Sequence, residues 1–200
     1  MVNVSMPTVV CLGFFDGVHT GHLALVNAAK AVARQKGLTV CVHTFDRAPG
    51  DKDFPLTSLS ERVELLRSAG ADTVAVSVFD EAMRHMRGDD FFHTVILEKL
   101  HARHVVCGDD HRFGYRGAWG VEDLRSLCQE AGIGLTVVPA VRSPGGARVS
   151  STAIREAIRR GDFPLAEAML GRSLTPVQRS HCIFEKIEGN ACLNAENRVK

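Results

Sequence analysis

The chain has 200 residues, 45% hydrophobic and 24% charged, with a formal net charge of +1, which suits one domain with a sizeable core and excludes charge-driven tracking along nucleic acid. No run approaches the ~18 apolar residues of a membrane span, and the first seven residues lack the layout of a secretory leader, so a cytoplasmic protein without a nucleic-acid or membrane partner is expected. Its cysteines, at 11, 41, 107, 128, 182 and 192 with no Cys-x-x-Cys pair, are expected as reduced thiols, and zinc is not indicated.

The pattern predicts a strand at Thr8–Leu12, then a helix from Gly21 to Gln35 with Leu25, Ala28, Ala29 and Val32 on one stripe. A strand at Leu38–Thr44, a helix at Ser60–Ser68 and a strand at Thr73–Val78 follow. Next come a helix at Asp90–Leu100, a strand at His104–Cys107, a helix at Val121–Ala131 and a strand at Leu135–Val138. Gly37, Gly70 and Gly132 stand where helices should close, and Asp80, Asp89 and Asp90 read as helix starts. The strands are short and valine-rich, as in a parallel sheet covered on both faces. The alternation predicts an α/β fold, a Rossmann-like doubly wound five-stranded parallel sheet with helices on both faces. Two C-terminal helices, Ser150–Arg160 and Phe163–Leu170, are split by Gly161-Asp162. Residues 1–173 read as one domain and 174–200 as a short tail, in which His181–Ile187 and Ala191–Ala195 could pair as a small hairpin.

The chemistry concentrates where the first strand meets the first helix, in Gly13-Phe14-Phe15-Asp16-Gly17-Val18-His19-Thr20-Gly21-His22. Ligands of open α/β sheets bind at the carboxyl ends of strands near the switch point. A helix N-terminus there offers unpaired N–H groups to an anion. Gly13, Gly17 and Gly21 allow a phosphate to approach the backbone, and His19 and His22, three apart, can face the same phosphates across one turn. No Gly-Lys-Ser/Thr follows, so this is not a Walker loop. Ser150, Ser151 and Thr152 open a later helix with Arg155 one turn in. That is either an ordinary capped helix or a second anion site. At the end of the fourth strand, Gly108 permits close approach, while Asp109, Asp110 and Arg112 supply polar contacts. Phe113, Tyr115 and Trp119 either contact an aromatic ligand or anchor their loop. Phe45 and Asp46, ending the second strand, are the other candidate wall.

The decapeptide resembles the G-N-F-D-G-V-H-x-G-H motif of the prokaryotic FAD synthetases, in their FMN adenylyltransferase module. Arg148-Val149-Ser150-Ser151-Thr152-Ala153-Ile154-Arg155 resembles that family's I-S-S-T-x-I-R. Val106-Cys107-Gly108-Asp109-Asp110-His111-Arg112-Phe113-Gly114 resembles its V-G-x-D-F-x-F-G. Pro55–Leu59 and Leu170-Gly171-Arg172 also fit, so the likeness runs in order over roughly residues 8–173. It implies transfer of AMP from ATP to FMN, giving FAD and pyrophosphate with Mg²⁺ held mostly by phosphates. It implies catalytic roles for His19, His22 and Arg155. ATP would be bound by Gly13, Phe14, Phe15, Gly17, His19, Gly21, His22, Gly108, Ser150, Ser151, Thr152 and Arg155, with Ser150–Arg155 gripping the β- and γ-phosphates. Flavin would be bound by Phe45, Asp46, Asp110, Arg112 and Phe113.

Three departures bear on the acceptor or the nucleotide. Phe14 replaces the usual asparagine, Phe45-Asp46-Arg47-Ala48-Pro49 lacks the histidine of F-D-P-H-P, and His111 replaces an aromatic. Bifunctional members carry a riboflavin kinase module with a P-T-A-N motif. Residues 174–200 contain neither, so the adenylyltransferase activity alone is expected. The competing readings are a nucleotidyltransferase with another phosphate-bearing acceptor, and a non-catalytic flavin or nucleotide sensor. The sequence leaves the oligomeric state and the metal's protein ligands open.

Overall fold

The computed structural model describes residues 6–48, 50 and 54–182. The chain divides into two compact units. The first comprises Met1–Val18 and His22–Ala140, the second His19–Gly21 and Val141–Lys200. The hairpin expected around 188–190 lies outside the described residues.

The first unit is built on five parallel strands: β1 (Thr8–Leu12), β2 (Thr39–Phe45), β3 (Thr73–Ser77), β4 (Ala102–Gly108) and β5 (Gly134–Val138). Their order is β3-β2-β1-β4-β5. The chain winds outward from β1 through β2 to β3, then returns to place β4 on the other side of β1. The switch point therefore lies between β1 and β4, with Val10 paired to Cys41 on one side and Val105 on the other. Alternation along β1 decides which core each residue enters. Val10 and Leu12 join Phe92, Ile96, Val105 and Leu124 on one face. Val9 and Cys11 join Val26, Ala29, Val42 and Leu66 on the other. Cys11, Cys41, Cys107 and Cys128 are buried and free of disulfides, and burial pushes each thiol well above its ordinary pKa.

Helices α1 (Thr20–Lys36), α2 (Leu59–Ser68) and α5 (Val121–Glu130) form as the periodicity predicts, within a residue or two at each end. Ser58 starts α2 with a capping box, accepting from the Glu61 amide while the Glu61 carboxylate accepts from its own at 2.8 Å. Three features differ from expectation. The strands were expected buried, but β5 is half-buried along its length because it is a sheet edge. The helix expected over Asp90–Leu100 begins as a single turn, α4 (Gly88–Asp90), and continues as a π-helix over Phe91–Lys99. Its wider turn buries Phe91 and Phe92 side by side, together with Val95 and Ile96. A short helix, α3 (Glu81–His85), lies where the pattern showed only a helix start; Asp80 caps it, accepting from the Met83 amide at 2.9 Å.

The second unit holds α6 (Ser151–Arg159), α7 (Phe163–Leu170) and α8 (Pro176–Arg179). Ser150 caps α6 by accepting from the Ala153 amide at 3.1 Å. Residues 141–149 fold back on themselves, with the Val149 amide donating to the Val141 carbonyl. Glu167 ties the end together, accepting from Arg179 at 2.7 Å and from the Leu174 amide at 2.9 Å.

Candidate active site

The loop after β1 is held in an unusual backbone conformation. Phe15 and Val18 both have positive φ, 59° and 39°, beside Gly17 at 80°. A β-branched residue there is a true outlier, and such strain persists only where surroundings over-determine it. The surroundings here are a buried carboxylate and a glycine. Asp16 Oδ1 accepts from the amides of Leu56 at 2.9 Å and Thr57 at 3.2 Å, while the Gly17 amide donates to Thr57 Oγ1 at 3.1 Å. At Gly13 a Cβ would stand 2.9 Å from the Phe15 ring. The ring of His22 rests 5.0 Å from that of Phe15.

Beside this loop a cavity of about 700 Å³ opens at the carboxyl ends of β1, β2 and β4, where open α/β sheets bind ligands. Its lining is mixed: Phe14, Phe45, Phe79, Phe91, Phe113 and Tyr115 supply aromatic faces, and Glu81, Arg84, Arg112 and Arg116 supply charge. Phe45 meets Phe79 edge to face at 5.2 Å. His43, 2% exposed, and His111 also line it. Burial lowers both imidazoles to about 4; proximity to His111 lowers His43 further, whereas Asp110 partly opposes the shift of His111. Both are therefore neutral at pH 7. His43 Nε2 bonds Ser77 Oγ at 2.9 Å, and the His111 ring stacks on Phe113 at 5.7 Å.

In the second unit, His19–Gly21 lies against the start of α6. A Cβ on Gly21 would stand 3.1 Å from the His19 ring and 3.8 Å from the Val149 carbonyl oxygen. Thr20 Oγ1 donates to the Met169 carbonyl at 3.0 Å. His19 is buried, and desolvation, then the Arg172 charge, lower its pKa to about 4. Arg155 is buried on the same helix that Ser150 caps. Within this unit Gly21 of the histidine motif thus lies beside Val149, the residue before the Ser150 cap of α6.

Of the residues expected from sequence, Gly13, Phe14, Phe45, Arg112 and Phe113 line the cavity, while Asp46 and Asp110 are not among its lining. Asp46 instead accepts from the Phe79 amide at 2.8 Å and the Arg47 amide at 2.9 Å. The Phe79 bond is the main cause holding its carboxyl below the ordinary value. Gly108 ends β4, where a Cβ would stand 3.2 Å from Asp110 Oδ1. Of the loop aromatics, Phe113 and Tyr115 line the cavity, whereas Trp119 anchors the loop by pairing with Phe113 and packing on Gly88. Sequence reading missed His43, Phe79 and Phe91 in the lining and Arg62, which holds two lining residues, and it quoted Asp16 in the motif without a role for it. A histidine inside the apolar run Thr39–Phe45 was the available signal for the first. Arg172 was noticed only as part of a closing motif. Among the described residues, no group of three or more His, Cys, Asp or Glu is placed to hold a metal ion, and no helix is long and apolar enough to cross a membrane.

Comparison with known proteins identifies the family. A bifunctional riboflavin kinase/FMN adenylyltransferase of Listeria monocytogenes is 33% identical over 174 residues, covering 84% of the chain and 54% of the relative. The Escherichia coli K12 protein of the same name is 32% identical over 169 residues, 82% and 54%. The chain therefore spans about half the length of these relatives. A Geobacillus thermodenitrificans relative is 34% identical over 177 residues and is covered to 95%. Among solved structures, one from Streptococcus pneumoniae, described as a macrolide-efflux protein, superposes with TM-score 0.78 at 29% identity, over 86% of this chain and 58% of that one. The pantoate-beta-alanine ligase of Francisella tularensis, complexed with β-γ ATP and β-alanine, shares the fold alone, with TM-score 0.50 at 16% identity over 86% and 72%. The sequence model of FAD synthetase matches residues 2–153, and the chain belongs to the FAD synthetase family.

Proposed function

We propose that this protein is an FMN adenylyltransferase, transferring AMP from ATP to FMN. The observation that carries the proposal is the cavity at the carboxyl ends of β1, β2 and β4. Its size suits a tricyclic ring, its aromatic side chains offer faces for stacking, and Arg84, Arg112 and Arg116 offer charge for an anionic substituent. An oxygen of the FMN phosphate attacks the α-phosphorus of ATP. The bond from that phosphorus to the bridging oxygen breaks, and pyrophosphate leaves with the electron pair. The attacking phosphate is already anionic, so no general base is needed, and catalysis rests on positioning and on charge stabilisation.

The protein's part divides by residue. The 17-residue α1 presents its N-terminus to phosphate, while Gly13 and Gly21 make room for the rings of Phe15 and His19. His19, neutral through burial in the ligand-free protein, would donate a hydrogen bond to phosphate. The cationic charge on that side comes from Arg155 and Arg172. Ser150, accepting from the Ala153 amide, caps α6, whose first turn would hold the β- and γ-phosphates. Mg²⁺ would be held mostly by phosphates and water, as magnesium rarely needs a dedicated protein cage.

The test is incubation of the purified protein with ATP, Mg²⁺ and FMN, resolving flavins by chromatography and measuring pyrophosphate. FAD and pyrophosphate in equal amounts are expected. No FAD, with ATP binding retained, overturns the acceptor.

A further inference from the structure

We infer that Phe14 is the stacking platform for the planar ring of the acceptor and that Arg62, which never reaches the cavity, is the residue that holds the platform in place.

The argument begins with a cost. Arg62, on α2, is 2% exposed, and its Nε is buried without a hydrogen-bond partner among the described residues. Burying a guanidinium in this way opposes folding, and the nearby Asp16 and Asp46 charges only partly offset it. Each of its two terminal nitrogens donates to a backbone carbonyl, Nη1 to Phe14 O at 3.2 Å and Nη2 to Phe45 O at 2.8 Å. Both of those residues line the cavity. The guanidinium plane also covers the Phe14 ring, 4.3 Å from its centroid. Thr44 Oγ1 adds a third restraint, donating to the same Phe14 carbonyl at 2.8 Å.

One cation thus fixes the backbone of two cavity walls and one side of an aromatic ring, while Phe14 remains half-buried and on the cavity surface. A ring immobilised before binding loses little freedom when a second ring stacks on it. Arginine alone supplies this combination, because lysine lacks both the fork and the flat face. The ligand class is a planar heteroaromatic group, which assigns Phe14 to the acceptor side although the motif places it among nucleotide-binding residues.

This rests on the proposed FMN adenylyltransferase activity, and its test separates the two. Phe14→Leu keeps apolar bulk without the π face, and Arg62→Lys keeps charge without fork or plane. FMN binding is followed by flavin absorption and fluorescence, and KM is measured separately for FMN and ATP. Both variants are expected to raise KM and Kd for FMN at least ~10-fold, in line with base–aromatic stacking, with KM for ATP within about twofold and circular dichroism unchanged. Phe14→Leu with parental FMN affinity overturns the platform, as does a rise in KM for ATP instead. Parental FMN affinity in Arg62→Lys overturns the positioning role. If Arg62→Lys is unfolded, Phe14→Leu still decides the platform, and Arg62→Gln, tested alike, decides the positioning role. A parent protein that neither binds FMN nor forms FAD removes the underlying activity and the platform with it.

Discussion

Asp16 Oδ1 stands 2.9 Å from the Leu56 amide, joining the loop after β1 to the residues that lead into α2. The same oxygen accepts from the Thr57 amide, so one buried carboxylate satisfies two backbone donors about 40 residues away. Asp16→Ala leaves both amides unpaired in the interior and should cost about 2–4 kcal/mol. Asp16→Asn keeps an accepting oxygen and should cost about half as much. Chemical denaturation of both variants checks the order; equal stability of Asp16→Ala and the parent would show the strained loop is held by something else.

The two motif histidines should matter through hydrogen bonding at the phosphates. His19→Ala and His22→Ala are each expected to lower turnover at least ~100-fold with native circular dichroism. Because the His19 pKa is near 4, His19→Asn, a neutral donor of similar reach, should recover part of the loss, whereas His19→Lys should not. Near-normal turnover in either alanine variant is the result against this role.

Legibility followed locality. Each strand of the sheet was visible because parallel strands buried between helices read as short valine runs, and Thr8–Leu12 appears with its expected bounds. The motif loop was visible because its glycines and histidines are contiguous. The cavity was only half visible. Phe91 sits on a π-helix, whose register an α-helical pattern cannot give, and Arg62 reads in sequence as an ordinary surface arginine of α2. Its role arises from a carbonyl 48 residues away. Asp46 was picked out because it ends a strand beside the site; its bond to the Phe79 amide, 33 residues away, could not be read from that position.

Acid should destabilise this fold in a defined window. His19, His43 and His111 are held near pKa 4 by burial, below their ordinary 6.5. The unfolded chain therefore binds more protons than the folded one between those values. Stability is complete above about pH 6.5 and falls as pH drops toward 4. Tm is expected at least ~5 °C lower at pH 5 than at pH 7. His111→Phe, which removes one of the three, should show a smaller fall. An unchanged Tm in the parent over this range would mean that the histidines are not buried in solution.

The last prediction concerns the wall that carries Phe113. Gly114 has φ 72°, and a Cβ there would stand 2.7 Å from the Gly88 backbone nitrogen. A Cβ on Gly88 would fall inside the indole of Trp119. Trp119 in turn pairs with Phe113 through reciprocal backbone bonds of 3.0 and 3.2 Å. The α4 turn, the indole and the wall are therefore packed without room for a methyl group. Gly88→Ala must push Trp119 aside, at about 1–3 kcal/mol, and Phe113 should move with it. Trp119 is the chain's one tryptophan, so intrinsic fluorescence reports this wall alone. Its emission should shift to the red in Gly88→Ala, and KM for FMN should rise several-fold more than KM for ATP. In the parent, FMN titration should quench the same emission, since the indole packs against the Phe113 ring, 6.0 Å between centroids. Parental emission together with parental KM for FMN in Gly88→Ala would show that the loop accommodates the methyl group without moving the cavity wall.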